Sequence, residues 1–145
     1  MARSITGDDP TSTAAYVDVD GDTHFNASSV FFEGALLRLG APQAVTIASG
    51  VAAGVTSSFV VLTSESGTTD QLDSITLAAT VPAVGDGDLL LLISKSTDTI
   101  TVDDANINLG AATRAVAPGG CLLLRYDAAE SQWTEMLFLA GADNV

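Results

Sequence analysis

Three groups of residues in this chain have side chains of the type that does chemistry. Asp18, Asp20 and Asp22 alternate around Gly21 and resemble the start of a calcium loop. Such a loop places its glycine after the third ligand and an acid at the twelfth position. Here the glycine precedes Asp22 and the twelfth position is Ser29, so the stretch reads as a turn that exposes acids. His24 is the single histidine, and any activated nucleophile would have to pair it with Ser28, Ser29 or Cys121. The sequence has no Gly-x-Ser-x-Gly elbow. Cys121 lies inside an apolar run, not at a helix start where a thiol would ionise readily. Gly50 and Gly54 lack the Gly-Lys-Ser/Thr that completes a phosphate loop. Asp86, Asp88, Asp103 and Asp104 fall at turn positions, and no pair of acids marks a glycosidase cleft. No catalytic residue, metal or cofactor is therefore expected, and the chain reads as a non-enzyme.

The elements around these residues are strands. Asp88-Leu89-Leu90-Leu91-Leu92-Ile93-Ser94 and Cys121-Leu122-Leu123-Leu124-Arg125-Tyr126-Asp127 are short apolar blocks bounded by turn formers. Their length fits strands buried on both faces, with residues 89–93 and 122–124 at the centre of the core. Residues 74–78 and 99–102 alternate apolar and polar, the period of a half-buried strand. Residues 44–48 and 58–63 are read as shorter strands, separated by a turn region from Gly50 to Gly54. Residues 64–73 are read as a polar loop. In residues 30–41, Gly34 argues against a helix, at about 1 kcal/mol, and favours strands bent at the glycine. Seven to nine strands at this spacing predict an all-β fold, a sandwich or barrel.

Composition agrees. The chain has 145 residues, 47% of them apolar, enough for one domain with a real core. The net charge is −13, and the five basic residues, Arg3, Arg38, Lys95, Arg114 and Arg125, are scattered. Nucleic acid and anionic membrane surfaces are excluded as partners, because both need clustered positive charge. Such a charge suits a soluble protein displayed outward. A single cysteine allows no internal disulfide. Asn26-Ala27-Ser28 has the letters of a glycosylation site, but the first ten residues carry no apolar export signal. The longest apolar run, residues 89–93, is far shorter than a membrane span.

Residues 1–29 are polar and rich in turn formers, with one short strand expected around Tyr16-Val17-Asp18-Val19. They bury too little to order by themselves and read as an extended N-terminal arm that lies on a neighbouring subunit. Residues 30–145 read as a single β-domain. Candidate interface residues are Ile5, Tyr16 and Val17 in the arm, Phe31, Phe32, Leu36 and Leu37 after it, and Trp133 as an aromatic anchor near a strand end.

The C-terminal half also carries a recurring pattern. It runs Gly-Asp-x-Leu-x-Leu-Ile from Gly87, an alternating strand from Thr99 to Val102, and Asn-x-x-Leu from Asn106 to Leu109. Pro-Gly-Gly-x-Leu-x-Leu-x-Tyr-Asp follows from Pro118 to Asp127, then Ser-x-Trp-x-Glu from Ser131 to Glu135. Over residues 72–139 this resembles a β-module of tailed-bacteriophage virion proteins, found in head-decoration proteins and fibres. The resemblance implies a jelly-roll-like sandwich or barrel, a homotrimer, and no enzymatic activity. The expected function is a capsid decoration protein on the outer surface of the virion, bound to the major capsid protein and stabilising the shell. The alternative is a trimeric head or tail fibre or spike module that binds a host receptor or glycan.

Overall fold

The computed structural model describes residues 15–17, 23–25, 41–81, 83–103 and 106–141. By its contacts the chain divides into two units, Met1–Arg38 and Leu39–Val145. In the first unit the described residues are two strands, β1 (Ala15–Val17) and β2 (Thr23–Phe25), paired antiparallel with Tyr16 opposite His24. The remaining strands belong to the second unit. They are β3 (Gln43–Thr46), β4 (Val51–Val55), β5 (Phe59–Thr63), β6 (Thr69–Leu72), β7 (Ser74–Leu77) and β8 (Leu89–Ser94). Then come β9 (Thr99–Asp103), β10 (Ile107–Asn108), β11 (Thr113–Val116), β12 (Cys121–Asp127) and β13 (Gln132–Leu139). The described residues contain no helix, so the all-β class holds.

The pairing is not the antiparallel order that a jelly roll or an up-and-down barrel requires. Among the described residues five of the nine pairings are parallel. Strand β3 lies beside β5 and β5 beside β8; β4 lies beside β7; β6 lies beside β9. Consecutive strands thus go to different sheets, and the chain returns to the same sheet one turn later. The return is uneven: 17 residues from Gln43 to Val60, 23 from Val51 to Ser74, 32 from Val60 to Leu92 and 30 from Thr69 to Thr99. This is a short coil of stacked turns, in which each turn buries its apolar edge on the next. The last strands reverse. Strand β11 pairs antiparallel with β9, and β12 with β8 and β13, giving the sheet orders β11-β9-β6 and β10-β13-β12-β8-β5-β3.

Each sheet gives one row of side chains to the interior, as period-two alternation demands. The six-stranded sheet contributes Val60, Leu62, Leu90, Leu92, Leu122 and Leu124. Leu72, Ile100, Val102 and Val116 come from the three-stranded sheet, and Ala52, Val55 and Ile75 from the β4–β7 pair. All are buried and form one cluster. Two segments read as turn or loop are therefore strands. Val51–Val55 is strand because Ala52 and Val55 fill the interior beside β7, and the irregularity between them lets Gly54 take φ 70°. Thr69–Leu72 is strand because β9 pairs along it and Leu72 is fully buried.

Polar groups clasp successive turns at the corners. After β5 and after β8 the chain makes the same corner, and Ser64 meets Asp98 there. The Ser64 amide donates to Asp98 Oδ2 at 2.9 Å, and its hydroxyl lies 2.8 Å from the Gly67 carbonyl and 3.1 Å from that same Oδ2. Thr97 Oγ1 donates to Asp98 Oδ1 at 2.6 Å. At another corner the Gly50 carbonyl accepts from the amides of Asp73 and Ser74 at 2.7 and 3.1 Å. Gly50 has φ 80°, a conformation that favours glycine, and a Cβ there would push the Asp73 carboxylate aside.

Asn106 stands in for a strand beside β7. Its Oδ1 accepts from the Ile75 amide at 3.0 Å and its Nδ2 donates to the Ile75 carbonyl at 2.8 Å. Asn106→Ala leaves two main-chain groups of β7 without partners, each worth about 1–3 kcal/mol when desolvated. Urea unfolding of this variant should show a loss in that range, with an unchanged slope. A loss below about 0.5 kcal/mol, the range of ordinary surface changes, would show that the clasp is ornamental.

Candidate interaction surface

The six-stranded sheet has a second face, and its residues follow from strand parity. With Leu90, Leu92, Leu122 and Leu124 turned inward, Leu89, Leu91, Ile93, Cys121 and Leu123 must turn outward. Cross-strand partners share a face, so the pairing register draws the outer surface row by row. One row is Leu139, Cys121, Ile93, Val61 and Ala44, across β13, β12, β8, β5 and β3. The next is Leu137, Leu123, Leu91 and Phe59. A third holds Thr134, Arg125 and Leu89. Met136 is the extra residue of a bulge in β13 beside Leu123 and Leu124.

The first two rows contain no charged side chain. Leu89, Leu137 and Leu139 are 51%, 48% and 54% exposed, and Met136 is 57% exposed. Phe59, Val61, Leu91, Ile93, Cys121 and Leu123 are half-buried. The expectation that the block 89–93 is buried on both faces is thus corrected: within one subunit it is buried on one. Covering each half-exposed Leu would contribute about 1 kcal/mol. The first charge met at the border is Arg125, which is 3.4 Å from Asp127. A chain of net charge −13 thus keeps acids off the first two rows of this face.

The sheet that carries this face is held at its β13 side by an ion pair. Arg114 on β11 donates from Nε and Nη2 to the two oxygens of Glu135, both at 2.8 Å, and its guanidinium lies over the Phe138 ring at 4.9 Å. The Gly110 amide adds a third hydrogen bond to Glu135 Oε2 at 3.1 Å. The Arg114 hydrogen bonds hold the Glu135 carboxyl below its usual range, with partial burial opposing them. The two-pronged geometry makes this pair worth more than a common surface salt bridge.

An open cleft of ≈ 400 Å³ lies near the start of β8, lined by Val55, Leu77, Val81, Val84, Leu90 and Trp133, with Ser57, Ser58 and Asp88 among its polar lining. Asp88 is its one carboxylate, and Asp88 Oδ2 accepts from the Gly85 amide at 2.8 Å. Among the described residues no three of His, Cys, Asp and Glu gather to hold a metal ion. No helix among them is long and apolar enough to cross a membrane.

The predicted interface residues fare unevenly. Trp133 is 4% exposed, packed edge-on against Tyr126 with ring centroids 5.2 Å apart, and is a core residue, not a surface anchor. Its position opposite Tyr126 on the inward side of β13 is the reason. Tyr16 and Val17 lie on β1. Ile5, Phe31, Phe32, Leu36 and Leu37, like Asp18, Asp20 and Asp22, lie outside the described residues. Sequence reasoning missed the outer rows altogether. The signal was there: both blocks are apolar at both parities, and a strand with one covered face needs apolar residues at one parity only. Compared with family models, curated proteins and solved structures, the chain matches none.

Proposed function

We propose that the chain is a non-enzymatic bacteriophage virion protein, a trimeric capsid decoration protein that binds the major capsid protein on the outer surface of the shell and stabilises it. The uncharged apolar face on the six-stranded sheet carries this reading. The largest apolar patch on a protein surface is often functional, and an uncharged one suits packing against protein. The pattern over residues 72–139, which resembles phage head-decoration modules, supports it. Clasped corners make the unit stiff, which a cement needs. A cement that binds the assembled lattice stabilises it by mass action, about 2.7 kcal/mol per site at a hundredfold excess over Kd. Residues 1–29 would reach the shell or an adjacent trimer.

A second reading, a fibre or spike module, is favoured by the coiled strand path, an architecture that grows along one axis. Copy number separates the two. The decoration reading expects hundreds of copies per particle, and the fibre reading a few. Shells stripped of the protein should open at a lower temperature and recover on adding it back. The same assay with residues 1–25 removed reads the arm, and unchanged affinity would remove its role. Shells indifferent to the protein would end the decoration reading.

A further inference from the structure

We propose that the outer face of the six-stranded sheet is where copies of this chain meet one another, and that the shell is met by a different surface. This rests on the assembly reading above and names the surface that performs it. Charge is the first argument. Each copy brings a net charge of −13, so two copies can approach closely only where carboxylates are missing. The two outer rows are such a place, and interface cores are depleted in charge in the same way.

Size is the second argument. Two rows about 6.6 Å apart, across four strands about 4.8 Å apart, give roughly 250 Å² of apolar sheet. A stable interface covers about 800 Å² per partner, with an apolar centre and a polar rim. The patch is the right size for that centre. Thr134, Arg125 and Asp127 lie where a rim would begin.

The chemistry also decides between a second copy and the shell. Permanent contacts between identical subunits resemble a domain core cut in half. Contacts made after assembly are about as polar as the rest of a protein surface. A continuous aliphatic face belongs to the first kind. Around a closed axis the same face of each copy turns inward, so every copy covers part of every other.

Leu137→Glu tests this directly. Leu137 is 48% exposed in the subunit, so the substitution leaves the core intact while placing like charges together at the contact. By sedimentation equilibrium the wild-type chain should be an oligomer and Leu137→Glu a single 14.7 kDa subunit with an unchanged β-type circular dichroism spectrum. A folded variant that stays oligomeric overturns the face and leaves the assembly reading untouched. Cys121 gives a second measurement that needs no variant. It sits in the first outer row, and its alkylation should slow as the wild-type concentration rises through the association range. Alkylation that is insensitive to concentration while the mass changes, or a wild-type chain that stays monomeric, overturns the proposal.

Discussion

Leu92→Ala should lower the unfolding free energy by about 2–5 kcal/mol, the range for a large aliphatic removed from a packed core. Leu92 is fully buried at the middle of β8, between Val60 on β5 and Leu122 on β12, and belongs to the single core cluster. The neighbouring change Leu91→Ala should cost an isolated subunit less than half as much, because Leu91 is only half-buried. On the proposed contact between copies, Leu91→Ala should also weaken association, whereas Leu92→Ala should act on the fold alone. Urea unfolding at two protein concentrations reads both effects. Equal losses for the two residues at low concentration would mean that the sheet is covered on both sides within one subunit.

Asp98→Asn should produce the largest change in acid sensitivity. Asp98 is 2% exposed, and donors converge on its carboxylate: the Thr97 hydroxyl, the Ser64 amide and the Ser64 hydroxyl. The Thr97 hydroxyl and then the Ser64 amide hold its pKa below the ordinary carboxylate value, against the opposing effect of burial. A carboxyl depressed in the folded state stabilises above its unfolded pKa of about 4, and that stability is lost as the pH falls through the lower folded value. The wild type should therefore weaken below about pH 4. Asparagine keeps an acceptor for the Ser64 amide but loses the charge, at about 1–3 kcal/mol near neutrality. The variant and the wild type should converge toward pH 2. Glu135, lowered in the same direction by Arg114, leaves a residual acid slope in the variant. Parallel stability curves from pH 7 to pH 2 would show that Asp98 does not carry the corner.

The class of the fold was legible because short apolar blocks between turn formers leave few alternatives to strands. The central place of Leu90, Leu92, Leu122 and Leu124 was legible for the same reason. The coil was not. Its returns are uneven in length and are held by pairs such as Ser64 with Asp98 and Asn106 with the Ile75 main chain, which share no letters that a repeat search could find. Strand β4 was hidden by Gly50 and Gly54, which look like a turn: Gly50 is in the turn before the strand, and Gly54 sits at the irregularity inside it. Strand β6 was hidden by Thr69, Asp70 and Gln71, polar residues held extended by β9 rather than by their own preference. Trp133 was read as an anchor from its type and its place near a strand end, and parity puts it in the core. The face that replaced it as a candidate depends on which strands are neighbours, and a single sequence does not state that.

Native mass spectrometry of the purified wild-type chain tests the central claim most directly, because an acidic protein with an open aliphatic sheet face should not remain alone. The account predicts a closed assembly of three copies of the 14.7 kDa chain that separates under conditions which leave each subunit folded. A single folded copy at tens of micromolar, with the Leu91 and Leu123 face freely accessible to solvent, would contradict it.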